Sequence, residues 1–145
     1  MIDLTLKKQD DLKFGFENEK NLLIYVNIKY PDTIKRFEKY SHFDFRNDRL
    51  KIDFELKSRR IYKGRYDTIF FAECKLIDGR KRMKEGITDR VIYVFNFEEK
   101  NTKNRDVWYW EDDGRKVEIT MCGNYQRGEE AKRLVNIPIN DLKRF

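Results

Sequence analysis

A chain of 145 residues with 39% hydrophobic and 14% aromatic content can fill one core without a covalent staple, and its 40% charged residues with only 7 Gly and 2 Pro exclude a low-complexity chain. The formal charge is +6 with a single histidine, His42, which excludes Cys2His2 zinc fingers and HExxH metalloproteases and argues against HNH-type metal sites and Ser-His-Asp triads. No GxxxxGK[ST] or GxGxxG loop is present to cradle phosphate, so any catalysis here is expected to rest mainly on carboxylates and lysine, with or without a metal ion.

In chain order, residues Phe14 to Lys29 place Phe16, Glu19, Leu23 and Val26 on one stripe at helical spacing, and Pro31 ends that helix. A second short helix is expected over Asp32 to Lys39, with Ile34 and Phe37 facing inward. Strands follow at His42 to Arg46 and, after a turn, at Leu50 to Arg60, where Ile52, Phe54 and Leu56 alternate with Lys51, Asp53, Glu55 and Lys57. Asp67 to Leu76 fits a strand or a helix. Arg90 to Phe97 reads as a strand paired with Val107 to Glu111 across the polar loop Glu98 to Arg105, followed by a strand at Val117 to Cys122 and a short helix at Glu129 to Val135. The sum is one domain over residues 1–145, of α/β or α+β class, with a mixed central β-sheet flanked by helices.

No apolar run is long enough to cross a membrane, and MIDLTLKKQDDLKFG lacks the regions of a signal peptide, so an intracellular location, cytoplasmic or nuclear and not secreted, is expected. Cys74 and Cys122 lie far apart and are expected to be reduced, partly buried thiols.

The chemistry concentrates in HFDFRNDRLKIDFELKSRR. Asp44 is followed, after ten intervening residues, by Glu55-Leu56-Lys57, an E-x-K triplet on the polar face of a strand. Glu55 and Lys57 project to the same side, about 7 Å apart by the strand rise. Converging carboxylates repel unless a hard cation sits between them, and Mg²⁺, with Mn²⁺ as a substitute, takes such oxygens together with water and a phosphate oxygen. A tight turn at Asn47-Asp48 sets Asp44 opposite Lys51, roughly 13 Å from the position facing Glu55, whereas a wider turn over Asp48 to Lys51 sets it opposite Glu55.

At these residues the chain resembles the PD-(D/E)xK nuclease superfamily, which includes restriction endonucleases and Holliday-junction resolvases. Phe43-Asp44 stands where that family has Pro-Asp, Glu55-Leu56-Lys57 stands for its E-x-K, and Ser58-Arg59 is a frequent continuation in resolvase-like members. The resemblance spans residues 15–60 and implies a restriction endonuclease-like core and metal-dependent hydrolysis of DNA. It further implies a metal held by Asp44, Glu55 and a helix glutamate, with Lys57 assisting the attacking water. Of the two helix candidates, Glu19 lies on the apolar stripe and Glu17 points away, so Glu19 is the expected fourth member.

A second E-x-K, Glu73-Cys74-Lys75, supplies an alternative set of Asp53, Glu73 and Lys75. Arg59, Arg60, Lys63, Arg65 and Lys75 are the expected phosphate contacts, and Trp108, Tyr109 and Trp110 are candidates for stacking on bases. DNA is the expected partner, with RNA a second nucleic-acid candidate, for a monomer or homodimer. Two other classes remain at this stage: a nucleic-acid-binding module without catalysis, motivated by the basic clusters, and a protein-interaction domain such as a viral or phage accessory factor, motivated by the aromatic strands.

Overall fold

In the computed structural model, which describes residues 19–35, 43–98, 105–122 and 132–145, two parallel strands form the centre of the molecule. They are β3 (Ile52–Arg59) and β5 (Arg90–Phe97), paired from Ile52↔Arg90 to Arg59↔Phe97. Parallel partners need a crossover, supplied here by β4 (Thr68–Ala72) and α2 (Glu73–Lys84). A six-stranded mixed sheet grows outward from this pair in the order β1-β2-β3-β5-β6-β9. Its other members are β1 (Ile34–Lys35), β2 (Phe45–Asn47), β6 (Asp106–Glu111) and β9 (Lys143–Arg144). A second, three-stranded sheet has the order β4-β8-β7, with β7 at Glu118–Cys122 and β8 at Lys132–Pro138.

Both faces of the central pair are covered, as parallel sheets require. On one face, helix α1 (residues 19–29) lays Leu22 and Val26 over Phe45, Phe54, Ile92 and Val94. On the other, α2 and the second sheet enclose Phe71, Tyr93, Phe95 and Trp110, with Phe71 stacked on Tyr93 at a ring separation of 4.2 Å. Gly79 allows α2 its close approach, because a Cβ there would meet Phe43, Tyr93 and Val91 at 3.3 Å. The alternation of β3 is therefore an alternation between two interiors, and Asp53 and Glu55 are only 2% and 4% exposed.

The β2–β3 hairpin uses the wider of the two turns. Asn47 pairs with Ile52, and residues 48–51 form the loop, with Lys51 at φ 54 closing it. Buried Asn47 sets this geometry: its Oδ1 accepts from the Leu50 N–H at 2.9 Å, and its Nδ2 donates to the Pro31 carbonyl at 2.8 Å.

Several expectations are corrected. Residues 34–35 form a strand paired with β2 rather than part of a helix, and Ile34 is 49% exposed instead of facing inward; Phe37 and His42 lie outside the described residues. Helix propensity there yields to pairing with a neighbouring strand. Of the helix expected over Glu129 to Val135, residues 129–131 lie outside the described residues and 132–135 belong to β8, in which Val135 and Ile137 face the core at strand spacing. Asp67 to Leu76 is a strand and then a helix, with the change at Ala72 to Glu73. Cys74 and Cys122 are free and exposed, not partly buried.

Asp53 joins the elements on the α2 side. Its carboxylate accepts from Arg46 Nη1 at 3.0 Å and Arg82 Nε at 2.8 Å, while Arg46 also donates to the Ile87 carbonyl at 2.8 Å. Removing one member of such a buried network strands the remaining charges. Asp53→Ala is expected to lower unfolding free energy by about 3–5 kcal/mol in urea titration; a loss below about 1 kcal/mol would show that the guanidiniums find other partners.

Candidate active site

Continuing the β2–β3 register by one residue from Phe45↔Phe54 sets Asp44 opposite Glu55. The Leu56 N–H donates to Asp44 Oδ2 at 2.8 Å, tying the aspartate to the strand that carries Glu55. Both carboxylates lie on the α2 side of the sheet, at its β2–β3 margin.

Two lysines reach the same point from different elements. Lys57 Nζ lies 3.4 Å from Glu55 Oε1, and Lys75 Nζ lies 3.7 Å from Glu55 Oε2. Lys57 follows from strand alternation. Lys75 sits in the first turn of α2, which the buried Tyr93 hydroxyl anchors by donating to the Lys75 carbonyl at 3.1 Å. Tyr93 is a positioning residue that its sequence context, one aromatic among the apolar residues of β5, did not single out.

Burial pushes the Glu55 carboxyl up to about 7, the neighbouring Asp44 adds to the rise, and Lys57 and Lys75 oppose it. Asp44 is raised as well, first by burial and then by Glu19, against the lowering effect of the Leu56 N–H and the two lysines. Glu55 Oε2 is buried with no hydrogen-bond donor among the described residues, the Lys75 ammonium standing just beyond bonding distance. An acceptor left in that state is costly unless something else coordinates it.

The remaining candidates separate. Glu19, half-buried, stands close enough to Asp44 to raise its pKa but is ion-paired with Lys35 at 3.0 Å. Glu17 lies outside the described residues. The alternative set does not assemble: Asp53 is held by Arg46 and Arg82, Glu73 by Arg133 at 2.7 Å, and Lys75 belongs with Glu55. Arg59, on the same face of β3 as Lys57, donates to the Phe70 carbonyl at 3.0 Å. Arg60 and Arg65 are exposed in the loop that follows, while Lys63 covers the Trp108 ring at 3.8 Å. Trp110 is buried, so of the three aromatic candidates none presents a free ring: Trp108 lies under Lys63, and Tyr109 lies under Lys29 at 4.6 Å.

Among the described residues no three His, Cys, Asp or Glu side chains converge on one point. The residues nonetheless fit a hard cation of the Mg²⁺ kind, which takes one or two carboxylates and fills its other positions with water and phosphate oxygens. Asp44 and Glu55 would hold it, and Glu55 Oε2, which has an ion pair with Lys75 but no hydrogen-bond donor among the described residues, is the oxygen it would satisfy. A hollow of about 320 Å³ lined by Trp110, Asp112, Arg115 and Asp141 lies elsewhere, and its acids are already paired, Asp112 with Arg80 at 2.9 Å and Asp113 with Arg115 at 2.7 Å. Comparison with protein-family models, with curated proteins and with solved structures gives no match.

Glu55 makes stability depend on pH. Below about 4.5, its ordinary value, the carboxyl is protonated in folded and unfolded chains alike. As pH rises toward about 7 the unfolded chain ionises first, so the folded state loses stability, and the loss is complete above about 7. The span from 4.5 to about 7 corresponds to about 3 kcal/mol. Without divalent cation, Glu55→Gln is expected to raise the urea midpoint at pH 8 and to leave it nearly unchanged at pH 4.5; equal midpoints at pH 8 would contradict the raised Glu55 pKa.

Proposed function

We propose that the chain is a metal-dependent nuclease of the PD-(D/E)xK type, with a restriction endonuclease-like core, that hydrolyses phosphodiester bonds of DNA within an intracellular compartment. The observation that carries this reading is the buried Glu55 carboxylate, opposite Asp44 across the hairpin, with one oxygen lacking a donor and two lysines beside it. A buried acid facing a second, partly buried one and flanked by cations is an expensive arrangement for stability alone and a useful one for phosphate chemistry.

A bound Mg²⁺ or Mn²⁺ supplies Lewis acidity and a more acidic water. Asp44 and Glu55 would hold such a cation, with the Leu56 N–H orienting Asp44. Lys57 donates to the attacking water and steers it toward phosphorus. Water adds to phosphorus and gives up one proton to solvent, one phosphorus–oxygen ester bond breaks, and the leaving oxygen takes up a proton from solvent in exchange. Lys75 and Arg59 offset charge on the phosphate oxygens, and Arg60, Lys63 and Arg65 extend the cationic track along the backbone. Glu19 is a third acid within electrostatic reach of Asp44 and, if released from Lys35, would be available as a metal or water ligand.

A second reading, a DNA-binding module without catalysis, is favoured by one feature: Lys57 and Lys75 already neutralise Glu55 without a cation. Incubation with plasmid and single-stranded DNA separates the two. Cutting is expected with Mg²⁺ or Mn²⁺, none with EDTA, and a loss of at least about 100-fold in rate for Glu55→Ala and Lys57→Ala. Salt-sensitive binding without cutting under every metal condition would leave the binding module; cutting that survives both substitutions would place the reaction elsewhere in the chain.

A further inference from the structure

The strand that carries Glu55 runs directly into a loop that combines exposed rings with cations. From Lys57 to Asp67 the chain carries five cations, Lys57, Arg59, Arg60, Lys63 and Arg65, against one anion. In and just after that loop, Tyr62, Tyr66 and Phe70 are 51%, 57% and 42% exposed. Single exposed rings are common on protein surfaces, but three within nine residues, beside guanidiniums, are not a solvated loop's usual content. Arg65 stands 5.7 Å from the Tyr66 ring, and Arg59 stands 5.7 Å from the Phe70 ring while holding the Phe70 carbonyl.

We propose that this β3–β4 segment is a binding surface for single-stranded DNA, in which Tyr62, Tyr66 and Phe70 stack on bases while the flanking cations hold phosphates. The choice of DNA rests on the nuclease reading; the preference for unpaired strands rests on the rings. A duplex hides its base faces within its own stack and offers these rings nothing but backbone, whereas an unpaired strand presents a π-face at every nucleotide. The cations alone do not distinguish the two, since both carry phosphates. Position fits as well. Arg59 lies four residues beyond Glu55 on the same face of β3, about 13 Å along the strand, so a strand whose phosphate lies at Glu55 runs on toward Phe70 and the loop.

The test is fluorescence anisotropy of the full chain in EDTA, where cutting cannot intervene, using a labelled oligothymidylate and a labelled duplex of equal length at one salt concentration. The oligothymidylate is expected to bind more tightly than the duplex. The triple variant Tyr62→Ala, Tyr66→Ala, Phe70→Ala is expected to lose at least about tenfold in affinity for the oligothymidylate and less than about twofold for the duplex. Tyr62→Phe with Tyr66→Phe keeps the rings and is expected to keep the affinity, which separates stacking from loss of fold or of the hydroxyls. Equal binding of both DNAs, no binding of the single strand, or an unchanged affinity in the triple variant would overturn the proposal. Ring-dependent binding in a chain that never cuts would support it while removing the catalytic reading; duplex cutting indifferent to the rings would do the reverse.

Discussion

Everything proposed for this chain depends on a carboxylate buried on a central strand. Glu55 sits on β3 between the parallel partner β5 and the short β2, beneath α2, in surroundings that favour its neutral form. Such a group needs compensation, and the fold converges on it from three directions: Asp44 from the hairpin, Lys57 from the same strand and Lys75 from the crossover helix. Asp53, two residues earlier on the same face, shows how the chain handles a buried acid meant only for structure. It is fully gripped by two guanidiniums. Glu55 is left partly ungripped, and that difference between neighbouring acids is what the proposed site rests on.

The hairpin turn is the element on which the site's geometry hangs. Had β2 and β3 been joined by a two-residue turn, Asp44 would face Lys51 and stand far from Glu55. Asn47 prevents this by capping the Leu50 N–H and anchoring the Pro31 carbonyl, with Lys51 in the left-handed region closing the loop. Tyr93 does the corresponding work for the other wall, holding the α2 turn that presents Lys75.

Much of this was readable from the residues. The strand alternation of Ile52 to Arg59 and the pairing of Arg90 to Phe97 with Asp106 to Glu111 stand as expected, because period-2 patterns with β-branched and aromatic residues leave few alternatives. Glu55 and Lys57 followed from that alternation, whereas Asp44 required the turn, for which two widths were compatible with the sequence. Other features were invisible at that level. The α2 start at Glu73 follows β4 without a glycine or proline to mark it, and no side-chain cap announces it. Lys75 was expected as a phosphate contact or as a partner of Asp53 and Glu73, since only the placement of α2 brings it to Glu55. Charges in β3 suggested a solvated face, and only the second sheet and α2 make that face an interior. Ile34–Lys35 and residues 132–135 took helical expectations because short segments with mixed charge take their structure from the neighbours they pair with.

The most direct measurement is Mn²⁺ binding followed by electron paramagnetic resonance, with calorimetry in two buffers of different ionisation enthalpy near pH 7. A carboxyl held at about 7 is partly protonated there, so coordination must displace its proton. The account predicts one site in the wild-type chain, proton release on binding that fades by pH 9, and loss of that site in Glu55→Gln. Binding of equal strength in Glu55→Gln, or no binding by the wild-type chain at millimolar Mn²⁺, would contradict it.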